Sequence, residues 1–276
     1  MNAVEIKNLT KTYKGFTLGP ISMTLPQGCI LGLISENGAG KTTTIKALLD
    51  MNRPDTGEIS LLGQPVSAEG RNEIGVVLDE TGLPESLNVR QIGNIMKYTF
   101  RDWQSSVFAD YLKKFSLPEN KKFKTFSKGM KMKLGLAIAL SHNAKLLILD
   151  EPTAGLDPLV REELLDILND FTRTEDHAVL ISSHIVSDLE KVCDYIAFLH
   201  KGRLMLCEEK DRLLEQYGFL QTTVENLDAL EPAAIKGRKV TQYGAEAIVD
   251  RTLVPQTFDI RPVTIEELFV YMVKEG

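Results

Sequence analysis

The stretch ILGLISENGAGKTTTIKALL, residues 30–49, constrains the fold more than any other part of the chain. An almost continuous apolar run from Cys29 to Ile34 enters a glycine-rich turn, and Thr42 to Leu49 then carries helical patterning. Buried strand, glycine turn and helix, in that order, aim successive backbone N–H groups and the positive end of a helix dipole into one concavity, where phosphate oxygens bind. Gly38 and Gly40 let the backbone approach closely, and Asn37 and Ala39 complete the loop. Lys41 supplies a point charge for β- and γ-phosphates, Thr42 a hydroxyl for Mg2+, and Thr43 follows it into the helix. The usual pattern opens on glycine, G-x-x-x-x-G-K-[ST], and here Ser35 stands in that place. If that position needs positive φ, serine costs roughly 1 kcal/mol; if φ is negative, the cost is negligible.

A second phosphate-chemistry motif is LLILDEPTAGLD, residues 146–157. Its apolar residues form a buried strand, and Asp150 at the strand end can hold Mg2+ through a water. Glu151, one residue on and expected on the other side of the strand end, can polarise an attacking water as general base. A third motif is FSKGMKMKLGLAIAL, residues 126–140. Ser127 reads as the N-cap of a helix whose apolar face includes Met130, Leu134 and Ile138. This is either simply a capped core helix or one whose N-terminus is also an anion site. Such a site, if too far from the phosphate loop of its own subunit, would need a second subunit to meet the phosphate.

The rest of the pattern alternates. Ala3–Leu9, Ile21–Leu25 and Glu58–Leu62 read as strands, and residues 88–141 as mainly helical with Trp103, Tyr111 and Phe115 packing. Lys145–Asp150 and Ala178–Ser183 read as buried parallel strands around a helix from Val160 to Arg173. The HKGR turn at 200–203 separates two short strands, and Glu208–Tyr217 reads as a helix. Short β-like pieces follow 218, and a final amphipathic helix places Ile265, Leu268, Phe269 and Met272 on one face.

This order of motifs resembles the nucleotide-binding subunit of an ABC transporter over at least residues 2–215. Ser35–Thr43 is similar to the Walker A loop, Leu146–Glu151 to the Walker B strand, Phe126–Met130 to the LSGGQ signature and Pro152–Asp157 to the D-loop. Ser183-His184 resembles the switch strand, whose histidine contacts the γ-phosphate, and Tyr13 in KTYKGF the aromatic position that stacks on adenine. The signature departs from the family at Lys128, in place of a glycine, and at Met130, in place of glutamine. Asp79, in IGVVLDETGLPESLNV, stands at the Q-loop glutamine position, with Glu80 as the neighbouring candidate.

The resemblance implies an α/β fold: a P-loop NTPase core with an N-terminal antiparallel β subdomain, a helical subdomain at about 88–141 carrying the signature, and a small C-terminal appendage. The nucleotide-binding domain is expected over 1–217 and the accessory subdomain over 218–276. ATP and Mg2+ are the implied cofactors. Glu151, His184 and Lys41 are the implied catalytic set, Thr42, Asp79 and Asp150 the Mg2+ set, and Tyr13, Ser35 and Asn37 to Thr43 the nucleotide contacts. Two subunits, identical or related, would clamp ATP head to tail, each nucleotide meeting Ser127, Lys128, Gly129 and Asp157 of the opposite chain. The partner would be a separate transmembrane permease docked around residues 79–88, placing the chain at the cytoplasmic face of the membrane. FSKGM signatures point to bacterial exporters of antibiotics, peptides or lipids.

Bulk properties narrow the field. A net charge of −6 argues against a nucleic-acid partner, and the apolar runs are far shorter than the roughly 20 residues of a membrane helix. Cys29, Cys193 and Cys207, widely spaced in apolar sequence, read as buried free thiols. The lysines at 121, 122, 124, 128, 131 and 133 form either a solvated face or a positive field toward nucleotide or lipid headgroups. The competing class is a soluble ABC ATPase acting on chromosomes or ribosomes. About 85 residues between Thr42 and Ser127 are too few for a chromosome-type coiled coil, and one nucleotide domain is fewer than the two that ribosome-acting members usually carry. A nucleotide kinase is disfavoured by the signature and D-loop.

Overall fold

Strands apolar along their whole length can only be covered on both faces, and they set the centre of this molecule. The computed structural model describes residues 1–66, 70–79 and 82–275, divided into two units, Met1–Cys207 and Glu208–Gly276. The first runs β1 (Asn2–Tyr13), β2 (Phe16–Pro26), β3 (Ile30–Ser35), α1 (Lys41–Leu48), β4 (Thr56–Leu61), β5 (Gln64–Pro65), β6 (Ile74–Val77), α2 (Val89–Thr99), α3 (Ser105–Lys114), α4 (Lys128–Ala139), β7 (Leu146–Asp150), α5 (Pro158–Thr172), β8 (Ala178–Ser183), α6 (Val186–Val192), β9 (Tyr195–His200) and β10 (Arg203–Glu209).

Every residue of β3, β7 and β8 is buried. They lie in a six-stranded sheet of order β10-β9-β3-β8-β7-β6, in which β9, β3, β8, β7 and β6 pair parallel. The carboxyl ends of these strands therefore open on one crevice, the place where open α/β sheets bind ligands. A second sheet, β2-β1-β4-β5, is antiparallel. The two share a core in which Leu9, Leu18, Leu33, Ile45 and Leu199 are buried together.

The helical region has its own core, with Ile92, Phe108, Phe115 and Leu134 buried and Trp103 and Tyr111 packed against them. Asn88 closes a capping box with Gln91 at the start of α2, and Ser127 Oγ accepts from the Met130 N–H at 3.3 Å to cap α4. Helix α4 is buried on more than one stripe, from Met132 through Ala139, because it packs on β6 as well as on the other helices. That strand escapes sequence reading: four residues with a glycine in them carry no usable period. The cysteines also differ from expectation. Cys193 is buried, but Cys29 and Cys207 are only half-buried.

The second unit runs α7 (Lys210–Gln216), β11 (Tyr217–Thr222), α8 (Val224–Asp228), β12 (Ile235–Thr241), β13 (Gly244–Asp250), β14 (Ile260–Pro262) and α9 (Ile265–Glu275). Its sheet has the order β12-β13-β11-β14. It starts ahead of residue 218 because α7 leads directly into β11, and Gln216 Nε2 donates to Asp250 Oδ2 at 2.7 Å. Ile265 and Leu268 of α9 are fully buried, while Phe269 and Met272 are half-buried. The Tyr271 hydroxyl donates to Glu246 Oε2 at 2.8 Å. Burial and then that carboxylate push its pKa up to about 12.

The turn between β9 and β10 buttresses the phosphate loop. Gly202 N–H donates to the Ala39 carbonyl at 3.0 Å, and Gly19 N–H donates to the Gly202 carbonyl at 2.6 Å. Gly202 has φ +80°, and a Cβ there would sit 2.1 Å from the Thr17 carbonyl oxygen, which is backbone and cannot yield. Gly202→Ala is expected to destabilise the first unit by more than about 3 kcal/mol, lowering its Tm by roughly 6–12 °C. Calorimetry of both proteins checks this, and a shift under about 2 °C would mean that the turn moves freely.

Candidate functional site

Helix α1 begins where the glycine turn ends. Gly40, its N-cap, has φ +114° and ψ 6°, and a Cβ there would lie 2.6 Å from Leu18 Cδ1, so only glycine seats the loop this close to β2. Ser35 closes β3 in extended backbone and is not one of the positive-φ residues. Its substitution therefore carries no left-handed strain. The residue is 2% exposed, and its hydroxyl donates to the Glu36 carbonyl at 2.9 Å. What Ser35 offers the site is its own carbonyl, which accepts from Lys41 Nζ at 3.1 Å.

Lys41 is 7% exposed, and its ammonium also lies 3.0 Å from Glu151 Oε1. Extended-strand alternation would send Asp150 and Glu151 to opposite sides. Glu151 instead has φ +52°, and this left-handed turn brings both carboxylates to the first residues of α1. Asp150 Oδ2 accepts from Thr42 Oγ1 at 3.3 Å, and Asp150 Oδ1 from Ser182 Oγ at 2.6 Å. The turn is held from β8, because the Glu151 N–H donates to both the carbonyl and the hydroxyl of Ser182, at 3.1 and 3.0 Å. Ser182 is fully buried and went unread in the sequence, where a polar residue ending an apolar strand was its one signal.

His184 follows β8. Its Nδ1 lies 2.6 Å from Glu151 Oε2, and its backbone N–H donates to the same oxygen at 3.2 Å. A carboxylate only accepts, so Nδ1 carries the proton and Nε2 is left for a ligand. Burial opposes ionisation of Glu151, but the hydrogen bonds and charges of Lys41 and then His184 outweigh it, holding the carboxyl below its ordinary range.

Lys41, Thr42, Glu151 and His184 line one cavity of 410 Å³ together with Asn37, Gly38, Gly40, Thr43 and Asp79, and Asp150 meets that lining through Thr42. Phe16, Glu36 and Ala154 line it too. Phe16 was not singled out from sequence; its signal was its position opposite Tyr13 in the β1–β2 hairpin. Tyr13 stacks on Phe16 with ring centroids 6.5 Å apart, accepts a hydrogen bond from Asn52 Nδ2 and is 41% exposed. Ala39 is buried behind the loop. Glu80 lies outside the described residues.

The third motif is not part of this cavity. Ser127 caps α4, and Asp157 caps α5 by accepting from the Val160 N–H at 3.1 Å. A Cβ on Gly129 would lie 3.6 Å from Leu156 Cδ2, so signature and D-loop pack on each other within the chain. The lysine cluster is no uniform field. Lys133 pairs with Glu163 at 2.7 Å, Lys131 lies 5.1 Å from the centre of the Phe123 ring, and Lys128 pairs with Asp79 at 2.9 Å.

Thr42 and Asp150 offer hard oxygens within hydrogen-bonding distance of each other beside Lys41. That donor set suits Mg2+, which takes one or two protein oxygens and completes its shell with phosphate and water. A glycine loop on a helix N-terminus, a buried lysine, a Thr–Asp oxygen pair and a histidine-held carboxylate together define a triphosphate-hydrolysing site.

A family model described as ABC transporter matches residues 18–154. The uncharacterized ABC transporter ATP-binding protein YhcH of Bacillus subtilis (strain 168) is 31% identical, over 99% of this chain and 96% of its own length. The lantibiotic transport ATP-binding protein SrtF of Streptococcus pyogenes is 36% identical, over 75% of this chain and 91% of its own. A solved structure of an ATP-binding subunit of an ABC transporter superposes with a TM-score of 0.71 at 28% identity, covering 78% of this chain and 92% of that one. The chain belongs to the ABC transporter family, as an ATP-binding subunit with ATPase activity.

Proposed function

We propose that this chain powers a separate membrane-spanning permease that exports peptide, antibiotic or lipid-like substrates from a bacterial cell, and that it works at the cytoplasmic face of the membrane. The convergence of Lys41, Glu151 and His184 on one cavity carries the ATPase half of this reading. Likeness to a lantibiotic transport subunit supports the substrate class.

The phosphates of ATP enter at the α1 N-terminus, where loop N–H groups and Lys41 receive them. A phosphate competes with Glu151 for Lys41, so binding leaves Glu151 held by His184 and available as base. Thr42 and Asp150 would hold Mg2+, with Asp79 as a further candidate at the cavity wall, and the ion would supply charge neutralisation for the phosphoryl group. Ser127, Gly129 and Asp157 lie off the cavity, consistent with their serving the nucleotide of a second subunit, identical or related. ATP then acts as an interfacial ligand whose hydrolysis lets the two subunits part.

Among the described residues no helix is long and apolar enough to cross a membrane, so the spanning part is assigned to another polypeptide. An apolar groove of 270 Å³, lined by Leu49, Met51, Leu78, Phe100, Ile138 and His142 among others, suits an apolar helix end from that partner. It begins at Leu78, next to the expected dock at 79–88, of which 80 and 81 lie outside the described residues. Met51 is 61% exposed, and Met51→Glu is expected to release the chain from membranes while ATP affinity stays within twofold. Fractionation of native membranes with an ATP titration checks this. Recovery of the unsubstituted chain in soluble form alone would favour the soluble-ATPase class instead.

A further inference from the structure

The two residues that depart from the family pattern at the Q-loop and at the signature glycine touch each other. Asp79 follows β6 and lines the nucleotide cavity; Lys128 is the first residue of α4. Lys128 Nζ lies 2.9 Å from Asp79 Oδ1. The lysine stem runs over the D-loop turn at Gly155, where a Cβ would meet Lys128 Cδ at 3.4 Å, so the side chain is directed along the chain's own surface.

Charge gives this contact a purpose. A carboxylate on the wall of a triphosphate cavity repels its ligand, which a neutral glutamine would not do. An ammonium in contact with the carboxylate cancels that field. We propose that Lys128 is a positioning residue for Asp79 of the same chain: the pair replaces a neutral contact by a charge-balanced one, holding Asp79 at the wall without raising the negative potential that ATP meets. The inference rests on the ATP-site reading and deepens it. Both side chains are about half exposed, so the pair is weak and releasable. Such a pair would leave Asp79 free to turn to Mg2+.

Four variants of the full chain test it, Lys128→Gly, Asp79→Gln, the double Lys128→Gly/Asp79→Gln, and Lys128→Arg, by ATP titration with and without Mg2+. Lys128→Gly should weaken Mg2+-free ATP binding by about 3- to 10-fold at low salt, and by less than half that factor in 0.5 M salt, where exposed charges are screened. Against the Asp79→Gln background the same substitution should change affinity by less than twofold, and Lys128→Arg should preserve it. An equal effect of Lys128→Gly in both backgrounds, or no effect at all, overturns the proposal, the first meaning that Lys128 acts on nucleotide without Asp79. Failure of the unsubstituted chain to bind ATP would overturn the site reading and this inference with it.

Discussion

Replacing Glu151 by glutamine is expected to lower the turnover of bound ATP by about 10²- to 10³-fold and to leave ATP binding intact or a few-fold tighter. Two effects separate in this variant. The amide keeps the size of the side chain and its left-handed backbone (φ +52°) but cannot accept a proton from water. It also relieves Lys41 of its charged partner at 3.0 Å, so the ammonium is freer to meet phosphate. Single-turnover hydrolysis beside an ATP titration distinguishes the two, and unchanged hydrolysis would remove Glu151 as the base. The substitution has a signature without nucleotide as well. The Glu151 carboxyl is held below its ordinary value of 4.5, so its stabilising share is present above that value and fades as pH falls through the folded pKa. Glu151→Gln therefore flattens the acid limb of the stability curve below about pH 4.5, which denaturant titrations at pH 3–6 measure.

What could be read in advance follows from how local each feature is. The phosphate loop is contiguous, and strand, turn and helix are encoded in the same twenty letters, so Ser35 through Thr43 needed no tertiary knowledge. Ser35 itself was undecidable from letters, because its cost hung on a dihedral; the strand continues through it and the cost vanishes. Asp150 and Glu151 were readable as a pair but not in direction. Alternation is a property of extended chain, and the chain stops being extended at Glu151, pinned by Ser182 from a neighbouring strand 31 residues away. Strand β6 was invisible because its burial comes from β7 and α4, not from its own pattern. The Lys128–Asp79 contact joins two segments that sequence can only treat separately. In the second unit the short strands were discernible and their order was not, since β11 sits between strands that come later in the chain.

Lys41→Met produces the other large effect, and its two consequences come apart experimentally. The methionine keeps the apolar stem packed, so what is lost is the charge. Removing a buried cation that meets phosphate costs about 2–5 kcal/mol, or roughly 30- to 5,000-fold in ATP affinity, and hydrolysis falls with it. The same substitution leaves Glu151 half-buried with His184 as its remaining charge partner. Burial, which already opposes ionisation there, then faces less opposition, and the carboxyl titrates higher than in the unsubstituted protein. The variant is therefore expected to be less stable at pH 7, and the deficit shrinks as acid protonates Glu151. Adding Glu151→Gln to Lys41→Met removes the stranded charge, so the double variant should regain most of the stability at pH 7 while ATP binding stays lost. Thermal unfolding from pH 7 down to pH 3, with an ATP titration, tests both halves. If the double variant were as unstable as Lys41→Met alone, the lysine would be stabilising the loop through the Ser35 carbonyl at 3.1 Å rather than through Glu151.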